Sequence, residues 1–291
     1  MLYNFSEVKY NADKNFMRQT AGKGVMKMKK LTALILTAVM VLVCFVGCGA
    51  ATAQSDSAYV KEKGTLVIGI TDFKPMDFQQ DGSDEWVGFD ADLAKAFAAE
   101  LGVDAEFVVI NWDNKDFELN SKSIDCVWNG MTLTDGVKAA METSNAYCKN
   151  AQVVVVPKDK AALYQTADSV KSLSFAAEGG SAGEEALLDL GYSVTPVTAQ
   201  TDAVKEVAAG TSDAAVIDLL MAGAMLGEGS SYEDLTYTVE LTYEEYGVGF
   251  RRSSDLAQAL NDFFVKVYAD GTMNELAEKY DILKENVIEQ K

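Results

Sequence analysis

The stretch GMTLTDGVKAA, residues 130–140, gathers residue types that bind rather than react. Gly130 permits close backbone approach. Thr132 and Thr134 offer hydroxyls, and Thr134 or Asp135 is suited to cap a following helix. A helix start of this kind presents free N–H groups that attract an anion. A site built for a carboxylate would normally add a nearby arginine, whose planar fork grips both oxygens. Here the chain has Val137 and then Lys138, and on a helix Lys138 lies about 100° further round. The sequence contains no histidine, which removes histidine-based triads and histidine metal sites. Neither a metal nor a cofactor is expected.

The elements that position this stretch alternate. TLVIGI (65–70) is a buried-strand pattern. DADLAKAFAAELG (90–102) is a helix, with Leu93, Phe97 and Leu101 on one face and Gly102 as its stop. DAEFVVI (104–110) and IDCVWNG (124–130) are further strands. Near residue 150 the scheme restarts with AQVVVVPK (151–158), then SLSFAAEGGSAGEEALLDLG (172–191), SVTPV, a helix over 201–210 and the strand DAAVID (213–218). YGVGF (246–250) and two helices, about 254–269 and 272–281, close the chain. Alternation of this kind argues for parallel α/β sheets. No low-complexity linker separates the halves, which favours two lobes joined by more than one strand. In IDCVWNG, strand alternation turns Trp128 away from Asn129 and into the core.

The 291 residues hold 25 basic and 44 acidic side chains, a formal net charge of −19. KMKK followed by LTALILTAVMVLVCFVG (31–47) reads as a basic n-region and an export signal. The run ends at FVGC, where Gly47 before Cys48 is similar to a bacterial lipobox; the other reading is a short membrane anchor at 31–47. Residues 1–25 fit no signal design, so translation is expected to start at Met26 or Met28. Loss of residues 1–47, which carry seven basic and two acidic side chains, takes the net charge from −19 to −24. Nucleic acid is excluded as a partner by such a charge. Cys126 and Cys148 remain after Cys44 and Cys48 are assigned to the signal and the lipid; a bond between them is not expected, because Cys126 sits in an apolar run.

The segments LVIGITDFKPMDF, WVGFDADLAKAFAAELG, INWDN, IDCVWNGMTLT and QVVVV occur in that order over 59–285. Together they resemble the extracellular solute-binding proteins of polar amino acid ABC importers (bacterial solute-binding protein family 3), many of them lipoproteins. Ala91 and Phe97 depart from the aliphatics usual in that family. The resemblance implies an α/β protein with the type II periplasmic-binding fold, two α/β lobes with a ligand cleft between them. The expected parts are a signal peptide at 26–47, a lipidated tether at 48–58, lobe 1 at 59–148 plus 247–291, and lobe 2 at 152–243.

The resemblance also implies a site. Phe73 and Trp112 match the aromatics that flank the ligand, with core packing as their other reading. Asp72 could meet a ligand amine or cap its turn. Asn129, Gly130 and Thr132 match the loop that binds the amino acid head group. Gly180, Ser181 and Ala182 match the turn that receives the carboxylate, although the family usually has a hydroxyl residue at position 182 as well. Glu178 stands where glutamine is frequent. Asp218 matches the acid that binds the α-ammonium group, and Val137 stands in place of the arginine that grips the α-carboxylate. Arg251 and Arg252 fall where the family puts solvated basic residues, and Lys74 reads as a surface lysine. The implied protein is no enzyme. It is a monomer, lipid-anchored on the outer face of the cytoplasmic membrane, that captures a small polar amino acid for a membrane permease. The alternatives are a binding protein for a cationic amine lacking a carboxylate and, from another class, a dehydratase-like enzyme on the same fold.

Overall fold

The computed structural model describes residues 54–80 and 82–291. The signal-like run, Cys48 and the candidate start sites lie outside the described residues. Ser55 caps the first helix, α1 (Asp56–Lys63), by accepting from the Ala58 N–H. Strand β1 (Thr65–Ile70) follows, then the hairpin of β2 (Phe78–Gln79) and β3 (Trp86–Val87), helix α2 (Phe89–Leu101) and strand β4 (Asp104–Val109). Next come α3 (Lys115–Asn120), β5 (Cys126–Thr132), α4 (Asp135–Ala140), β6 (Glu142–Thr143), β7 (Cys148–Asn150) and β8 (Gln152–Pro157). The middle of the chain adds α5 (Ala167–Val170), β9 (Phe175–Glu178), α6 (Ala182–Asp189), β10 (Val194–Val197), α7 (Gln200–Ala209) and β11 (Ala214–Asp218). It ends with α8 (Leu219–Met225), β12 (Leu235–Glu240), β13 (Glu244–Phe250), α9 (Leu256–Ala269) and α10 (Thr272–Lys279).

These strands build two main sheets. One has the order β4-β1-β5-β13-β6, with β7 also paired to β13; the other has the order β10-β9-β11-β8-β12. Both are mixed, which corrects the expectation of parallel sheets. β1 runs parallel to β4 and β5, and β9 parallel to β10 and β11. β13 is antiparallel to β5, and β8 is antiparallel to both β11 and β12. The reason lies in the connections. A parallel neighbour needs a crossover helix, but the chain leaves the first sheet through β7 and β8 and returns through β12 and β13 without one. β12 was not legible as a strand, because its sequence LTYTVE buries only Leu235 and Val239.

One apolar cluster runs through both sheets, from Leu66, Ile68 and Trp128 to Val153, Val155, Ala215 and Ile217, and each sheet packs a further cluster of its own. In the first sheet, Trp128 is fully buried, with its ring 5.7 Å from Phe264 and 6.2 Å from Phe97, while Asn129 points the other way, as alternation requires. In the second, Val154, Val156, Phe175, Ala177, Leu187 and Val216 pack together. Cys126 and Cys148 are buried, unbonded thiols.

Arg251 corrects the expectation of a solvated basic residue. Its side chain is 10% exposed and pairs with Asp56 at 3.0 Å and with Asp125 at 3.2 Å. It also donates to the Leu119 and Ile124 carbonyls at 3.3 and 2.8 Å. Only a guanidinium can serve four acceptors in one plane. It thereby ties α1 and the β5 entrance to the end of β13. Arg252 is exposed and meets the Ala139 carbonyl. Arg251→Ala leaves Asp125 buried with only Lys63 as a charged partner, so a loss of about 3–5 kcal/mol is expected. Arg251→Lys should recover little of it. Urea unfolding midpoints read both changes.

Candidate functional site

Between the two sheets lies a small cavity of ≈ 20 Å³. Its walls are Trp112, Asn129, Gly130 and Thr132 from the first lobe, and Gln152, Glu178, Ser181, Ala182, Gln200 and Asp218 from the second. Two larger openings flank it. One of ≈ 770 Å³ includes Asp72, Lys74, Phe78, Thr201 and Lys279; the other, of ≈ 470 Å³, includes Thr132, Lys138, Glu185 and Tyr243. The small cavity is the candidate site because polar groups from both lobes converge there.

On the first-lobe side the wall is fixed from behind. Gly130 has φ +52°, and a Cβ there would sit 2.5 Å from Phe73 Cε1, so only glycine fits. Its N–H donates to Asp90 Oδ2 at 2.6 Å, and Asp90 also accepts from the Tyr147 hydroxyl at 2.7 Å. Asn129 uses its amide inward. Its Oδ1 accepts from the Thr71 N–H and hydroxyl at 3.0 and 2.7 Å, and its Nδ2 donates to the Thr71 carbonyl and to Asp77 Oδ2 at 3.0 and 2.7 Å. The Thr132 hydroxyl donates to Glu244 Oε1 at 2.8 Å.

The second-lobe side is built around acids. Asp218 ends β11, where Gln152 faces it in register. Asp218 Oδ1 accepts from Asn150, from Gln152 Nε2 at 3.1 Å and from the Tyr246 hydroxyl at 2.6 Å, and Oδ2 accepts from Gln200. Glu244 Oε1 accepts from the same two amides, Asn150 at 2.6 Å and Gln152 at 2.8 Å. Burial and the neighbouring Glu244 push the Asp218 carboxyl up to about 8, against the donated hydrogen bonds of Tyr246 and Gln200. Glu178 ends β9. It is 2% exposed, and its Oε1 has no hydrogen-bond partner. Burial first, and Asp218 second, push its carboxyl up to about 8, with Lys115 opposing.

The turn after Glu178 closes on itself. Ser181 caps α6 by accepting from Glu184 N–H at 3.2 Å, while the Gly180 N–H donates to Glu184 Oε2 at 2.7 Å. Lys115 reaches across from the first lobe. Its Nζ donates to the Gly180 carbonyl at 2.8 Å and the Trp112 carbonyl at 3.3 Å, and sits 5.1 Å from the Trp112 ring centre. Burial pushes the Lys115 ammonium down, against the nearby Asp116 and Glu178.

Of the residues singled out in sequence, Trp112, Asn129, Gly130, Thr132, Glu178, Ser181, Ala182 and Asp218 are brought together here. Asp72 is exposed and lies in the larger opening, because β1 alternation turns Thr71 toward Asn129 instead. Phe73 is buried behind Gly130, edge-on to Tyr246 at 6.3 Å. Gly180 adjoins the cavity but spends its N–H and carbonyl on Glu184 and Lys115. Val137 is half-buried on α4, packed against the cluster of Ile110, Trp112 and Met131. Lys74 is exposed over the Phe78 ring. The reading missed Gln152 and Gln200, which line the cavity, and Asn150, Glu244, Tyr246 and Lys115, which hold it. A glutamine opening the run of valines at 153–156 was the one local signal.

A pH dependence follows. Glu178 at about 8 and Asp90 at about 7 both lie above their ordinary values. Between about pH 5 and 8 the folded chain therefore holds more protons than the unfolded chain, and stability falls as pH rises. The acids held low, such as Asp92 and Asp213, release their contribution only at lower pH. The urea midpoint is expected to drop from pH 5 to pH 8, and Glu178→Gln should make that drop smaller. An identical slope in the variant would remove Glu178 as a cause.

Known proteins fit this geometry. The description "bacterial extracellular solute-binding proteins, family 3" matches residues 66–283. An L-cystine-binding protein of Escherichia coli (strain K12), TcyJ, is 31% identical over 226 residues, 76% of this chain and 84% of that protein. The arginine-binding extracellular protein ArtP of Bacillus subtilis (strain 168) is 28% identical over 256 residues, 85% of this chain and 96% of its own. Among solved structures, an ancestral amino acid-binding protein described as a precursor of cyclohexadienyl dehydratase is 29% identical, with a TM-score of 0.71 over 78% of this chain and 99% of its own. The two mixed α/β sheets with a cleft between them are the type II periplasmic-binding fold of these relatives, and among the described residues no helix is long and apolar enough to cross a membrane. The chain belongs to the bacterial extracellular solute-binding proteins of family 3.

Proposed function

We propose that this protein is the substrate-binding component of an ABC importer, which captures a small polar amino acid outside the cell and presents it to a membrane permease. The observation that carries this reading is Asp218, a buried acid at a strand end, in the wall of a cavity shared by both lobes. Its relatives bind cystine and arginine, and both ligands carry an α-ammonium group for such an acid. In this reading Asp218 takes the ammonium, Trp112 packs on the aliphatic part, and the Ser181 hydroxyl with the first N–H groups of α6 takes the carboxylate. Asn129 and Gly130 shape the wall. Glu178, Thr132, Gly180 and Ala182 border the ligand, and Asp72 and Phe73 stand outside contact with it. The protein acts as a monomer. Cys48 carries the lipid that anchors it to the outer face of the membrane, and the tether runs from Cys48 to the Ser55 cap of α1, shorter than the expected 48–58 because Asp56 and Ser57 are held by Arg251 and Asp255.

The cavity of ≈ 20 Å³ has room for water but not for an amino acid, so capture requires the lobes to part about the 148–152 and 240–246 crossings. Catalysis is not part of the reading. A dehydratase acting on a polyanionic acid needs cationic contacts, and the cavity walls contain no lysine or arginine.

Isothermal titration against a panel of amino acids tests the proposal. Asp218→Asn, folded by circular dichroism, is expected to weaken the bound amino acid by roughly 10- to 100-fold, the range for a hydrogen bond to a charged group. Unchanged affinity removes Asp218 from the contact. Val137→Arg gives a second, independent reading. For a ligand with an α-carboxylate it should tighten binding by restoring the forked contact. Weaker binding of every amino acid, with the fold intact, would favour a ligand without a carboxylate, since an unpaired guanidinium is costly to desolvate.

A further inference from the structure

The two acids of the cavity wall differ in how they are served. Asp218 accepts from four donors of the protein itself: Asn150, Gln152, Tyr246 and Gln200. Glu178 is equally buried, lines the same cavity, and has an oxygen without any partner. A buried carboxylate oxygen left in this way is costly. No charged side chain of the wall donates to it, because the wall contains no lysine or arginine. Lys115 is the nearest cation, yet its donors go to the Gly180 and Trp112 carbonyls. Gln152 spends both amide N–H groups on Asp218 and Glu244, and Gln200 spends one on Asp218. A ligand that enters the cavity can supply the missing donor.

Charge points the same way. The wall offers two acids and no base, and Val137, on α4, adds none. A neutral zwitterion would bring a carboxylate into this environment with one ammonium to offset it. Burial favours the protonated form of Asp218 and of Glu178, and a ligand with a net positive charge would favour the ionised form of both.

We propose that Glu178 is the residue that sets ligand charge: its free oxygen accepts an N–H from a cationic nitrogen group of the ligand, an ammonium or a guanidinium, in addition to the one Asp218 faces. This rests on the reading of the protein as an amino acid- or amine-capturing component. The ligand is then either a basic amino acid or its carboxylate-free amine counterpart, and both present the same cation to Glu178.

The test is isothermal titration of the protein and of Glu178→Gln at pH 7 with L-arginine, L-lysine, agmatine, cadaverine, L-glutamine and L-cystine. At least one of the four cations should bind more tightly than either neutral amino acid. Glu178→Gln should weaken that cation by about 10- to 100-fold, with the neutral ligands unchanged or tighter, so the selectivity ratio collapses. A merely structural glutamate would shift all ligands alike. Glu178→Asp, which keeps the carboxyl on a shorter arm, should retain part of the preference. Binding of L-arginine or L-lysine without agmatine or cadaverine identifies a basic amino acid, and the reverse identifies an amine. Two results overturn the proposal: preferential binding of L-glutamine or L-cystine by the unaltered protein, or a cation affinity that Glu178→Gln does not change. Absence of binding to all six by a folded protein overturns instead the capture reading on which the proposal stands, and the proposal with it.

Discussion

Two buried carboxylates, Asp218 and Glu244, must be solvated by the protein where its two lobes join. Neither can stay in the interior without donors. The donors are Asn150 and Gln152, and each serves both acids. The arrangement is a consequence of strand register: Gln152 faces Asp218 across β8 and β11, and Asn150 faces Glu244 across β7 and β13. A slip of one residue in either pair would turn the amides away and strand the acids. The crossing strands are thus fixed by polar satisfaction as much as by packing, and the cavity wall inherits that precision.

Two tyrosines extend the arrangement into the first lobe. Tyr246 donates to Asp218, and Tyr147 donates between the two oxygens of Asp90, one of which also receives the Gly130 N–H. Their rings are 6.5 Å apart, and both are fully buried. Asp90, near the start of α2, therefore positions the turn at Gly130, which in turn leaves room for Phe73. Asp77 is part of the same layer. Burial and the charge of Asp90 push it well up, and its remaining contact is with Asn129. The wall that meets the ligand is in this sense the visible face of a buried hydrogen-bond layer, and its side chains have little rotamer freedom to lose on binding.

Across the cleft the lobes meet through few groups. Lys115 is the clearest: a first-lobe ammonium bonded to a second-lobe carbonyl at Gly180, under the ring of Trp112. With Tyr246 to Asp218 and Thr132 to Glu244 it joins the lobes through hydrogen bonds that can be broken and remade, as a protein that must open and close requires.

The sequence determined a good deal of this by itself. Strand and helix order and the burial of Trp128 opposite Asn129 were legible because hydrophobic period is a local signal, and Trp112, Asn129, Gly130, Thr132, Glu178, Ser181, Ala182 and Asp218 were legible as one site because their segments resemble those of the family. Val137 was legible as a missing cation for the same reason. What the sequence could not show was anything set by pairing across strands. The antiparallel return of β13, the strand β12, the inward pull on Arg251, and the roles of Asn150, Gln152, Gln200, Glu244 and Tyr246 depend on residues tens of positions apart. Asp72 and Phe73 illustrate the limit: one residue of alternation decides which of them faces out and which lies behind Gly130. Whether an acid is served on both oxygens by its own protein, as Asp218 is, or left with an open oxygen, as Glu178 is, is a property of the assembled wall, since hydrogen-bond partners are assigned only when the tertiary structure brings the donors within reach.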